Sequence, residues 1–209
     1  MAQPPAAKRA RGAAQGPGGA VQGLVDFLNQ AWTPFHAVEA ARAMLLAAGW
    51  QQLREGDAWE LQRGGRYFFT RNMSCVVAFA VGARYRPGDG FVILGAHTDS
   101  PCPKLKPHAD VKKGEFLSVA CQPYGGGIWH TWFDRDLGVA GRVLLRGADG
   151  RIAHRLVKVE EPILRIPSLA IHLDRHVNEK FSVNFQSHMV PVLGSRLKAQ
   201  VEGVLGSPK

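Results

Sequence analysis

At 209 residues and 45% apolar composition, the chain is long enough for one large domain, or one and a half smaller ones, with a buried core. Its formal net charge of +9 would suit a nucleic-acid binder, but the basic residues are spread along the chain and read as a solvated surface, so no specific nucleic acid is expected as partner. Three cysteines with no CxxC pair exclude a disulfide framework, and no run reaches the roughly 18 apolar residues of a membrane span, so a cytoplasmic protein without membrane contact is expected.

Residues 1–19, MAQPPAAKRARGAAQGPGG, are basic, acid-free and rich in Ala, Gly and Pro. They lack the apolar core of a secretory signal and read as a disordered tail. Helical periodicity begins with Val21, Leu24, Val25 and Leu28. The run TPFHAVEAARAMLLAAGW predicts a second helix, capped by Thr33, opened by Pro34 and stopped at Gly49. His36, in its first turn, has no second ligand type beside it in sequence and reads as structural.

From Trp50 the texture turns to short β runs. RYFFTR and SCVVAFAVG predict two strands joined at Asn72, and RPGDG predicts a turn. FVILGA reads as a strand buried on both faces, as in a central sheet covered by helices. Beyond Pro103 the strand candidates are FLSVACQPY, GVAGRVLLRG, RIAHRLVKVE, ILRIP and LAIHL, punctuated by turns at Gly125–Gly127, Asp149–Gly150, Pro162 and Pro167. A helix start is read at Ser195, weakened at its end by Gly203, Gly206 and Pro208.

The apolar run ends in His97, with Asp99 two residues on. Ligands of open α/β sheets sit outside the carboxyl ends of strands. Imidazole is the commonest zinc ligand, and it needs an acceptor on its other ring nitrogen to fix tautomer and orientation. His-x-Asp after an apolar strand therefore reads as a metal ligand with its orienting carboxylate. A histidine ending a strand and an aspartate opening a turn give the same pattern. Asp134, Arg135 and Asp136, between aromatic neighbours, read as a charged turn with an internal ion pair. Gly125–Gly127 lack a following GK[ST] and read as turn residues, not a phosphate loop. Glu160–Glu161 read as a solvated strand edge. Cys102, between two prolines, reads either as a reactive thiol or as a small part-buried residue.

The segment GAHTDSP resembles the metal-binding segment of the aspartyl aminopeptidases, the M18 family of zinc exopeptidases. TPFHAV, YFFTRN, YGGGIWHTWFDRDLGVAGRV and PILRIPSLAIHL resemble further family signatures in the same order, from about Val21 to about Val192. The resemblance implies an α/β fold: the N-terminal part of a three-layer αβα zinc-exopeptidase domain over 20–103, followed by a β-rich inserted dimerisation domain over 104–209. It implies a two-zinc aminopeptidase acting on peptides with N-terminal Asp or Glu, assembled as a homo-oligomer through the inserted domain. His97 resembles a zinc ligand, and Asp99 resembles the catalytic-site carboxylate that orients it. His172 resembles the histidine that reaches a neighbouring subunit's site to bind substrate; by itself it would read as a core strand histidine. The family's other zinc ligands and its general base fall later in its chain than the position of Lys209. The alternative expectation is therefore a catalytically inactive form that serves as an interaction or dimerisation module, or an incomplete record of a longer protein.

Overall fold

The computed structural model describes residues 17–201 and Gly203. Packing divides the chain between Val92 and Ile93. Residues 1–16 of the expected tail lie outside the described residues. Pro17–Gly19, also expected in that tail, are instead the first turn of helix α1 (Pro17–Gln30), with proline at the helix start, where its missing N–H costs nothing.

Helix α2 (Pro34–Ala47) has the expected punctuation. Thr33 is extended at the N-cap, its Oγ1 accepts from the His36 backbone N–H at 3.3 Å, and Pro34 opens the helix. Gly49, at φ +76°, ends it in a left-handed turn that a side chain would strain. Ala37, Val38 and Ala40 are its buried residues. A small sheet follows, with β1 (Gln51–Gln52) parallel to β2 (Arg66–Arg71) and β2 antiparallel to β3 (Cys75–Ala80). The turn expected at Asn72 is present, with Asn72 and Met73 both at positive φ. Tyr67 and Phe68 are both buried although they point to opposite faces, so β2 is covered on both sides. On one face Phe69 and Phe79 lie 5.3 and 6.1 Å from the Trp59 ring, and Tyr67 joins Phe79 at 5.6 Å. Helix α2 packs against β1 and β3, the strands flanking β2.

The second unit is a five-stranded antiparallel sheet in the order β4-β5-β8-β7-β6. Its strands are β4 (Cys102–Lys113), β5 (Phe116–Tyr124), β6 (Asp136–Arg146), β7 (Ile152–Arg165) and the short β8 (Val192–Ser195). A single 3₁₀ turn, Trp129–Trp132, separates β5 from β6. The sheet is two long hairpins, β4–β5 and β6–β7, bridged by β8. Each hairpin carries an irregularity: between Leu105 and Asp110 in β4, and opposite Leu137–Val139 in β7. Pro107 and Pro162 lie in these irregular stretches, where a residue with no N–H to give is tolerated. The turn expected at Pro162 is thus a bulge, and RIAHRLVKVE and ILRIP largely form one strand. Ile166 and Met189 are fully buried in this unit, and Leu164, Cys121 and Ser118 are buried as well. Burial pushes the Cys121 thiol up to about 11. Helix α3 (Arg196–Val201) starts as expected after Ser195, whose Oγ accepts from the Lys198 N–H at 3.2 Å.

Three strand expectations are corrected. FVILGA is neither strand nor helix: Phe91, Val92, Ile93 and Leu94 are between 81% and 96% exposed. A doubly buried strand needs neighbours on both edges and layers on both faces, and no described strand pairs with this run. LAIHL is a turn, not a strand, with the Leu173 N–H donating to the Ala170 carbonyl at 2.8 Å. Its alternating apolar residues find no partner among the described strands, and Leu169, Ile171 and Leu173 stay exposed. Conversely, the proline-marked run Cys102–Lys113, where no strand was expected, is one of the longest strands of the chain.

Candidate metal-ligand site

His97 and Asp99 lie on the irregular segment that leads into β4. With its proton on Nδ1, the His97 ring donates to the Asp99 carbonyl oxygen at 2.8 Å and to Asp99 Oδ1 at 3.2 Å. That leaves Nε2 as the outward nitrogen of a ring that is 81% exposed. The second carboxylate oxygen of Asp99 accepts a 2.7 Å hydrogen bond from the Tyr124 hydroxyl. This phenol, with the Asp99 backbone and the His97 ring behind it, holds the Asp99 carboxyl below the ordinary range. The same bond raises the Tyr124 phenol above its usual value.

Tyr124 was not singled out from the sequence. It is 25 positions from Asp99. The register of β4 on β5 brings them together, because Cys102 is paired with Tyr124 at the open end of the hairpin. The signal that could have found it was the hairpin itself, with a turn at Gly114 (φ +58°) and long runs on either side. Across the hairpin, Lys104 Nζ stands 3.5 Å from the Tyr124 ring centroid, a close cation–π contact.

The other sequence-derived candidates fall elsewhere. His172 sits in the Ile171–Leu173 turn and is exposed, so the reading of it as a core strand histidine is corrected. His36 Nδ1 lies 2.7 Å from Thr33 Oγ1, a local capping contact. Glu160 and Glu161 are exposed as expected, but they lie in the irregular stretch within β7 and not at the end of a strand. Asp134, at φ +55°, turns the chain and accepts from both the Ser168 N–H (3.1 Å) and hydroxyl (2.5 Å). The ion pair of this turn is not internal: Asp136 pairs with Arg165 across the β6–β7 ladder at 3.1 Å. A cleft of about 550 Å³ in the second unit is lined by Phe116, Phe133, Leu169 and Phe181 with Arg165 and His188 at its polar side, and neither His97, Asp99 nor His172 lines it. Cys102 is part-buried and its thiol is raised by burial, which fits the small packed residue better than a reactive thiol.

The chemistry of His97 fits a zinc ligand: an imidazole whose Nδ1 is engaged by the Asp99 carbonyl and carboxylate, which leaves Nε2 as the donor atom. It is one donor. Among the described residues no group of three or more His, Cys, Asp or Glu side chains stands close enough to hold a metal ion. No described helix is long and apolar enough to cross a membrane.

Residues 27–204 match the family model described as Aminopeptidase I zinc metalloprotease (M18). A probable aspartyl aminopeptidase of Ricinus communis is 55% identical over 186 residues, 87% of this chain and 38% of the relative. A chain in the cryo-EM structure of the Ape4 and Nbr1 complex superposes with a TM-score of 0.81 at 44% identity, covering 84% of this chain and 34% of that one. The S. cerevisiae mApe1 dodecamer superposes with a TM-score of 0.66 at 28% identity, over 85% of this chain and 48% of that one. The chain thus spans less than half the length of each of these proteins. With the family model covering most of its length and its mixed helix-and-sheet fold shared with these structures, the chain belongs to the M18 family of zinc aminopeptidases.

Proposed function

We propose that this chain carries part of a two-zinc aspartyl aminopeptidase that removes N-terminal Asp or Glu from peptides in the cytoplasm. In this reading residues 20–103 begin a three-layer αβα catalytic domain, and 104–209 form its inserted dimerisation domain. The observation that carries it is the His97–Asp99 pair, with Nδ1 anchored and Nε2 outward. His97 supplies one zinc ligand through Nε2. Asp99 fixes the ring's tautomer and orientation. Exposed His172 contributes to substrate binding in a neighbouring subunit. Bound zinc ions supply Lewis-acid polarisation of the scissile carbonyl and a water of lowered pKa. The dodecameric relative and the many exposed apolar residues of the second unit support a homo-oligomer.

A second reading rests on a different observation: the described residues do not assemble three donors around His97, and a zinc site needs three or four. In that reading the 209 residues by themselves do not catalyse and act as an interaction or dimerisation module. One experiment decides whether the 209 residues catalyse by themselves. The purified chain is dialysed against zinc, its metal content is measured, and hydrolysis of aspartyl and glutamyl chromogenic amides is followed. Close to two zinc ions per chain with turnover, both abolished in His97→Ala, is the result expected if the chain catalyses by itself. Essentially no retained zinc and no turnover supports the second reading. Two tightly held ions that survive His97→Ala would remove His97 from the site and overturn the first.

A further inference from the structure

We propose that Tyr124 is a positioning residue for His97, acting through Asp99 to keep the imidazole proton on Nδ1 and Nε2 free to ligate. This deepens the assignment of His97 as a metal ligand and rests on it. An ionised carboxylate has two oxygens, and both are engaged here. Oδ1 faces His97 Nδ1 at 3.2 Å, and Oδ2 accepts from the Tyr124 hydroxyl at 2.7 Å. Asp99 is half-exposed on a segment without regular structure, and an aspartate there would turn freely between water and the ring. Tyr124 removes that freedom, because the residue behind the phenol is fixed. Its backbone pairs with Cys102, three residues beyond Asp99, at the open end of the β4–β5 hairpin. The Lys104 ammonium stands 3.5 Å from its ring centroid. Gly125, at φ +74°, turns the chain away immediately afterwards, and a Cβ there would touch Pro101 at 3.5 Å. The hairpin therefore clamps the segment that precedes it, and the clamp ends on the nitrogen opposite the ligating one.

The consequence is a tautomer preference that can be read without metal. A free imidazole side chain favours the proton on Nε2, which blocks the nitrogen this reading assigns to zinc. Long-range ¹H–¹⁵N correlation spectra of the 209-residue chain, recorded above the ordinary imidazole pKa, report the Nδ1–H to Nε2–H ratio of His97 directly. The ratio should exceed that of N-acetylhistidine. Tyr124→Phe should lower it about threefold, as expected for loss of one hydrogen bond in a partly shielded network that retains the 2.8 Å bond to the Asp99 carbonyl. Asp99→Ala should lower it further, and Tyr124→Phe should add nothing in that background. A purely structural tyrosine would leave the ratio unchanged while the β4–β5 amide shifts stay in place, and that result overturns the proposal. If Tyr124→Phe unfolds the hairpin, the unsubstituted chain still decides: a His97 ratio equal to that of N-acetylhistidine refutes the positioning role. A failed zinc measurement would be a separate result, since metal retention is read in the loaded chain and the tautomer in the metal-free one.

Discussion

Asp134 shows how one residue can settle a local path. Its φ of +55° lies in the left-handed region, which aspartate tolerates better than most residues, and its carboxylate closes on both the N–H and the hydroxyl of Ser168. The Ser168 hydroxyl is the largest cause of its lowered pKa, followed by the Ser168 backbone N–H. Because the folded pKa lies below the unfolded value of about 3.9, the stabilisation is present above that value and is lost as pH falls through the folded pKa. Ser168→Ala should therefore raise the Asp134 titration midpoint, though not to the unfolded value, since the backbone donor remains. It should cost about 0.5 kcal/mol at neutral pH, a small figure because the site is exposed. The difference between the two proteins should vanish in acid. Carboxyl-detected NMR titration and urea midpoints at neutral and low pH check both parts. A stability gap that stays constant into acid would mean that the Ser168 hydroxyl acts through something other than the ionised carboxylate. The same cluster marks a limit of reading residues in order. WFDRDL suggested an internal ion pair, but Asp136 reaches Arg165, 29 positions away, because register rather than adjacency decides which charges meet.

Elements whose stop and start signals are local were legible. Helix α2 is the clearest case, and it carries a direct prediction. Thr33→Ala removes the side-chain acceptor for the His36 N–H and the Thr33 Oγ1 contact with the His36 ring, so it should cost about 1 kcal/mol. Hydrogen exchange at the first turn of α2 should quicken while the β2–β3 amides stay protected. Uniform quickening across both would show that the cap supports the whole first unit and not the helix end alone. The β2–β3 hairpin was legible for the same reason, since Asn72 lies at the reversal between two runs of β-branched and aromatic residues. Elements that depend on distant neighbours were not. Strand β4 contains two prolines and four lysines, a composition that argues against a strand in isolation, yet β5 holds it along its length and the bulge accommodates Pro107. LAIHL has the alternation of a strand and forms none, because Ser168 is tied to Asp134 and no partner lies beside the residues that follow. The His97–Asp99 contact followed from a spacing of two, whereas Tyr124 depends on a hairpin whose first strand was not recognised.

For the molecule entire, the deciding feature is how much apolar surface stays uncovered. Phe91, Val92, Ile93 and Leu94 form an unbroken exposed run just before the His97 segment, and Leu144, Leu145 and Ile152 are exposed at the tip of the β6–β7 hairpin. Soluble monomers rarely leave contiguous apolar patches of this kind bare, and surfaces of this kind favour association. A sequence can say that a run is apolar enough to be buried. It cannot say what buries it, because burial belongs to the neighbours, and the Ricinus communis relative and the Ape4 complex chain are each more than twice as long as this chain. The isolated chain should therefore bind an apolar dye such as anilinonaphthalene sulfonate and should self-associate as its concentration rises. Replacing Val92 and Leu94 with serine removes two side chains that are 96% and 95% exposed and contribute little packing. The double variant should lose a clear fraction of the dye signal and shift toward monomer in light scattering, with its thermal midpoint unchanged within about 0.5 kcal/mol of stability. If the midpoint falls sharply instead, the run is packed in solution, and the apolar surface that drives association must be sought on the β6–β7 hairpin.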